Sequence, residues 1–246
     1  METGQVFILT VIFLATFTRS TFGFGDALVA MPLLTLAISL EEAAPLVALT
    51  AVTISTTILI KQWRRVQLKS AGMLIIFALG GIPLGIYLLK GIHDTVMKMI
   101  LAAVIITFSL YQIFHPRLRL RDSDKYAPLF GLLAGILGGA YNINGLPAAI
   151  YGTLRGWEAP RFRATMQGFF FPTGLMIALG HGVGGFWTRP VLGNFLLCVP
   201  GILVAVYFGG ILNGKIPPGK FDRYVYLFLV IIGIVLLINT SRPFLS

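Results

Sequence analysis

Uncharged runs set the rhythm of this chain. Stretches without a formal charge occupy 5–18, 27–40, 43–60, 70–89, 99–114, 126–154, 164–188, 190–214 and 224–241. A helix needs about 20 apolar residues to cross a hydrocarbon layer, fewer when its ends are interfacial and more when it tilts. The pattern therefore predicts spanning helices over 43–60, 70–89, 97–114, 160–181, 190–212 and 222–241. The remaining runs are irregular. Segments 5–18 and 27–40 hold 14 residues each, too short to span comfortably, and 126–154 is interrupted by Gly138-Gly139 and Tyr141-Asn142-Ile143-Asn144-Gly145-Leu146-Pro147. A string of glycine, asparagine and proline disfavours continuous helix. These regions predict two hairpins of paired half-helices, 5–40 and 126–154, each folded about a polar, glycine-rich break.

The breaks correspond in sequence. Gly23 precedes Pro32 by nine positions, as Gly138 precedes Pro147, and Pro45 and Pro160 keep the same offset of 115. Gly81, Ile82 and Tyr87 match Gly201, Ile202 and Tyr207 at an offset of 120, a weaker signal in an apolar run. The expected fold is all-α and polytopic, a duplication of one half with repeats over 1–120 and 121–246. An interrupted segment in each half of an internal repeat is the sequence-level pointer to a transport site.

Composition narrows the class. Of 246 residues 57% are hydrophobic and only 11% charged, against roughly 25% charged in a soluble domain. So few charges cannot cover a water-exposed surface, which excludes a soluble enzyme, a disordered tail protein and a disulfide scaffold. Cys198 is the single cysteine and forms no internal disulfide. The net charge of +10 points to basic loops rather than to nucleic acid. Met1–Gln5 holds no cation, so a cleavable secretory leader is not expected.

Loop charge then orients the halves. If each hairpin returns to the side it came from, loops 61–69, 115–125, 155–163 and 215–223 share one side and bring 14 cations to it, against four opposite. If both broken segments cross once, the tally is 10 against 8. Basic loops collect on the cytoplasmic side, which favours hairpins. Three crossings and a hairpin per half make the repeats inverted, with both termini away from the cytoplasm.

The breaks also hold the candidate chemistry. Helices that resume after a break present unpaired N–H groups and a partial positive charge, and two such ends near mid-membrane make an anion site. Thr18, Ser20, Thr21, Asn142 and Asn144 add neutral donors, while Gly23, Gly25 and Gly145 permit close backbone approach. Arg19 and Asp26 are ionisable groups within a membrane segment, functional candidates by default. They either pair across the turn and fix the hairpin, with Arg19 snorkelling to an interface as the other structural reading, or serve in anion contact and coupling, Asp26 being the candidate coupling residue. Gln167 needs a partner in the membrane. Thr50, Thr53, Thr57 and Thr165 favour back-bonding to their own helices. His181, beside glycines at a helix end, is expected at the interface. Gly81-x-x-x-Gly85 and Gly131-x-x-x-Gly135 read as packing surfaces, and Trp63, Trp157 and Trp187 as interface anchors.

No zinc pair, nucleophile turn or Walker motif occurs, and neither an enzyme nor a cofactor or metal is expected. Phe22-Gly23-Phe24-Gly25 followed by Pro32, Gly138-Gly139 with Gly145-Leu146-Pro147, and Lys61-Gln62-Trp63-Arg64-Arg65 resemble the sulfite exporter TauE/SafE family over nearly the whole chain. The resemblance implies duplicated halves and movement of small sulfur-containing anions, sulfite or organosulfonates, across the cytoplasmic membrane of a bacterium. The second break, Gly-Gly-Ala-Tyr-Asn-Ile-Asn-Gly, departs from the family's more glycine-rich stretch. The expectation is a secondary transporter working by alternating access. Its partners are a small anion and the lipid bilayer, with a proton or cation as candidate coupling ion and a homo-oligomer as candidate assembly. An anion channel and a non-transporting assembly or sensor protein are the alternatives.

Overall fold

The computed structural model describes residues 3–62, 68–114, 124–157, 159–212 and 220–245. Among these, ten α-helices and no strand occur: α1 (Thr3–Phe22), α2 (Asp26–Leu34), α3 (Leu40–Gln62), α4 (Leu68–Gly91), α5 (Asp94–Phe114), α6 (Ala127–Tyr141), α7 (Gly145–Leu154), α8 (Ala159–Val183), α9 (Arg189–Leu212) and α10 (Lys220–Leu245). Five of them, α1, α3, α4, α5 and α9, are long and apolar enough among the described residues to cross a membrane. The protein is an all-helical integral membrane protein. A helix pair followed by three longer helices runs through 3–114 and again through 127–245.

The breaks are shorter than the sequence suggests. Thr18 to Phe22 complete α1, which reaches 20 residues and is long enough to span, and Gly138 to Tyr141 complete α6. Polar Arg19, Ser20 and Thr21 remain helical because each is buried against neighbouring elements. Only 23–25 and 142–144 leave the helix. Gly23 and Gly25 have φ of 90° and 100°, and Asn142 has φ of 57°. All lie in the left-handed region, open to glycine without strain and to asparagine at small cost. Helix ends therefore set α1 against α6 and α2 against α7 at an offset of 119, not the 115 read from glycines and prolines. Gly23 has Asn142, not Gly138, as its counterpart in position and backbone.

After its break the second pair doubles back. The rings of Phe130, at the start of α6, and Tyr151, near the end of α7, lie 5.6 Å apart, and Trp157 packs edge-on against Tyr151 at 5.7 Å. Trp63 lies outside the described residues.

Between helices in lipid, packing has to come from close approach, since hydrocarbon tails are as apolar as leucine. α4 and α6 achieve it through glycine. A Cβ on Gly81, Gly85, Gly135 or Gly139 would run into the carbonyl oxygens of Leu132, Ile136, Ala78 and Ile82 respectively. The glycine pairs are packing surfaces, as expected. α1 lies on α9 as α6 lies on α4, α3 on α9 as α8 on α4, and α5 on α10. The largest apolar cluster, with Ile12, Met31, Leu46, Leu101, Tyr141, Ile143 and Ile202, joins α1, α2, α3, α5, α6 and α9 around both breaks.

Candidate anion site at the paired breaks

Both breaks open onto one small cavity. Phe24, Gly25, Asp26, Ala27 and Leu28 line it from the first, Asn142, Ile143, Asn144, Gly145 and Leu146 from the second, and Phe170 of α8 closes it. Its volume is about 10 Å³, room for about one water. The first turns of α2 and α7 both contribute to the lining, and a helix supplies no acceptors for its own first N–H groups. The cavity thus combines two helix N-termini with one charged side chain, Asp26.

The charge beside it is Arg19, 2% exposed at the end of α1. Its Nη1 donates to Asp26 Oδ2 at 2.6 Å, across the break. Nη2 donates to Ser55 Oγ of α3 at 2.5 Å, and the guanidinium lies 4.6 Å from the centre of the Phe170 ring. Nε is buried without a partner. Stacking on a ring is a favourable place for a desolvated guanidinium. Asp26 is itself in the first turn of α2, where a helix favours negative charge. A carboxylate of the protein thus occupies the electrostatic position suited to an anion.

Neighbouring side chains hold the breaks in place. Gln167 Nε2 reaches the Gly23 carbonyl at 3.5 Å, and Asn144 Nδ2 donates to Thr173 Oγ1 at 2.9 Å. Tyr141 Oη donates to the Met97 carbonyl at 3.0 Å, tying the end of α6 to α5. A Cβ on Gly145 would lie 2.8 Å from the Phe170 ring, so the second break needs glycine where it passes the ring that carries Arg19.

Of the sequence candidates, Gly25, Asp26, Asn142, Asn144 and Gly145 line the cavity, with Arg19, Gly23 and Gln167 bonded to it or beside it. Thr18 back-bonds to Leu14, although its methyl would touch a Cβ on Gly25. Ser20 and Thr21 lie against Gly209 of α9 and do not line the cavity. Thr50, Thr53 and Thr57 back-bond to their own helix as expected, whereas Thr165 is buried with its hydroxyl unpartnered. His181 corrects an expectation. Instead of sitting at the interface it is fully buried, edge-on to Phe186, with Nε2 donating to the Gly139 carbonyl at 2.7 Å. That carbonyl is left over near the end of α6, where the Ile143 N–H turns to Leu137 instead. Ser55, Phe170 and Thr173 join the site without having been singled out, their only sequence signal a position on helices that follow the breaks. Phe24, known from the sequence only as part of the Phe22–Gly25 motif, lines the cavity from within the first break.

Among the described residues no group of histidine, cysteine and acidic side chains could hold a metal. A family model described as Sulfite exporter TauE/SafE matches residues 8–236. No curated protein matches the chain, and no solved structure does.

Proposed function

Because the chain belongs to the sulfite exporter TauE/SafE family, a family of membrane permeases for sulfite-type anions, we propose that it is a secondary transporter. Its cargo is sulfite or an organosulfonate, carried across the cytoplasmic membrane of a bacterium by alternating exposure of one central site. The observation that carries this reading is the cavity shared by the two breaks, beside a buried arginine. Two helix N-termini and neutral amides suit sulfonate oxygens and allow release as well as binding. A cavity of water size supports a carrier that must open to load, not a standing channel.

Inverted halves give such a carrier its two faces. The exchange of helix partners between halves, α1 on α9 and α6 on α4, supports that arrangement. So does the doubled-back path of α6 and α7.

Reconstituted protein tests it. Vesicles loaded with sulfite, thiosulfate, sulfoacetate, taurine and simple carboxylates in turn should show uptake of a labelled sulfur anion stimulated by one or more of the sulfur anions inside. Arg19→Gln should weaken binding of that anion by about tenfold or more, the loss of a charge-assisted contact. Electrically driven flux without counterflow stimulation would make the protein a channel, and no flux at all would end the transport reading.

A further inference from the structure

Asp26 already holds the place a substrate oxygen would take on Arg19, and a carrier for anions has to clear it. We propose that the Arg19–Asp26 pair is the coupling element of the transporter: the anion replaces Asp26 on Arg19 while Asp26 takes up a proton, so that one proton travels with each anion. This rests on the transport reading above.

Four observations converge on it. Asp26 lines the cavity and Arg19 does not, so an anion in the cavity reaches the guanidinium through the edge that Asp26 now occupies. Arg19 has anchors besides Asp26. Ser55 holds Nη2 and Phe170 holds the guanidinium face, while Nε offers one further donor without a partner. The two partners belong to different helices joined by Gly23-Phe24-Gly25. Both glycines lie at positive φ, backbone that glycine adopts without strain.

The last observation is the charge balance. Arg19 and Asp26 together are neutral, and both are buried. A monovalent anion, bisulfite or a sulfonate, added to this pair alone would leave one uncompensated negative charge out of water, a costly state. Protonation of Asp26 removes it. The carboxylate accepts a proton from the aqueous side to which the site is open, and its hydrogen bond from Nη1 passes to the anion. On the opposite side the anion leaves, Asp26 releases the proton to water and returns to Arg19. Among the described residues nothing else near Asp26 substitutes for this. α3 brings Ser55, α8 brings Gln167 and Phe170, and the second break brings Asn142 and Asn144, all uncharged. α5 also packs on α2, but its Asp94 is engaged by Lys98 and the Leu40 N–H. On α10, residues 227 and 229–240 include no titratable side chain.

Purified wild-type protein in nanodiscs, in a weakly buffered solution with a pH indicator, tests the proposal with two probes, sulfite and methanesulfonate. Methanesulfonate is a strong-acid anion that brings no proton of its own. Methanesulfonate binding should draw about one proton per anion from solution. Over the same range its apparent Kd should rise about tenfold per pH unit, as linkage of one proton requires. Asp26→Asn should bind methanesulfonate with no proton uptake and a Kd independent of pH. If that variant does not fold, the wild-type stoichiometry decides alone. Methanesulfonate bound without proton uptake overturns the proposal and leaves the transport reading standing. Absence of binding by either probe overturns the transport reading and this proposal with it.

Discussion

Arg19 brings a full charge into the interior with three dissimilar partners: a carboxylate, a hydroxyl and an aromatic ring. Each comes from a different helix, so the residue marks the meeting point of α1, α2, α3 and α8. A buried donor that loses its only acceptor costs about 1–3 kcal/mol, more when charged. Ser55→Ala should therefore lower the thermal denaturation midpoint in detergent measurably, although serine on a membrane helix would ordinarily be dispensable. An unchanged midpoint would mean that Ser55 Oγ does not serve Arg19. This residue also marks the limit of sequence reading. Arg19 and Asp26 stand out because charge is rare in the membrane segments. Ser55 and Phe170 are ordinary residues for a membrane helix, and their role arises from contacts across 36 and 151 positions that no local pattern encodes. The place of His181 is hidden from sequence for the same reason, since its partner is the Gly139 carbonyl on another helix.

At the level of elements, length and apolarity made the long helices legible, and the glycine-rich interruptions made the breaks legible as regions. Their limits were not, because polarity and helix termination are different properties. Residues 18–21 are polar and yet helical, while at the breaks the chain turns where the backbone reaches positive φ. The repeat register suffers from the same confusion. Matching glycine to glycine aligns Gly23 with Gly138, whereas the helix ends align it with Asn142, which adopts the left-handed conformation in its place. This makes a separable prediction. A Cβ at Gly23 would meet nothing within 4 Å, so the cost of substitution there is conformational alone. Gly23→Ala should destabilise by about 1–2 kcal/mol, the left-handed penalty of an ordinary residue. Gly23→Asn should cost clearly less, as Asn142 already shows in the other half. Thermal melts of the two variants compare them directly, and equal losses would remove the equivalence drawn between the breaks.

The whole molecule poses the question of which way each half faces, and two independent lines meet on it. Fourteen of the 19 cations fall in loops that share one side only if both broken pairs return to where they started. Within the second pair the path does return, with Phe130 beside Tyr151 and Trp157 against that same ring. A pair that returns adds no crossing, so three long helices carry the chain across an odd number of times and the next half begins from the opposite face. If both pairs return, the expectation is that the chain ends on the non-cytoplasmic side and that the segment between α9 and α10 lies with the other basic segments on the cytoplasmic side. A reporter active only in the cytoplasm should therefore be silent when fused after Ser246 and active when inserted at 215–219. The reverse pattern would put the cations at 10 against 8 and turn the second half over. Parallel halves would then present both breaks from one face, and a single site could no longer be offered to the two sides by exchanging the roles of equivalent hairpins.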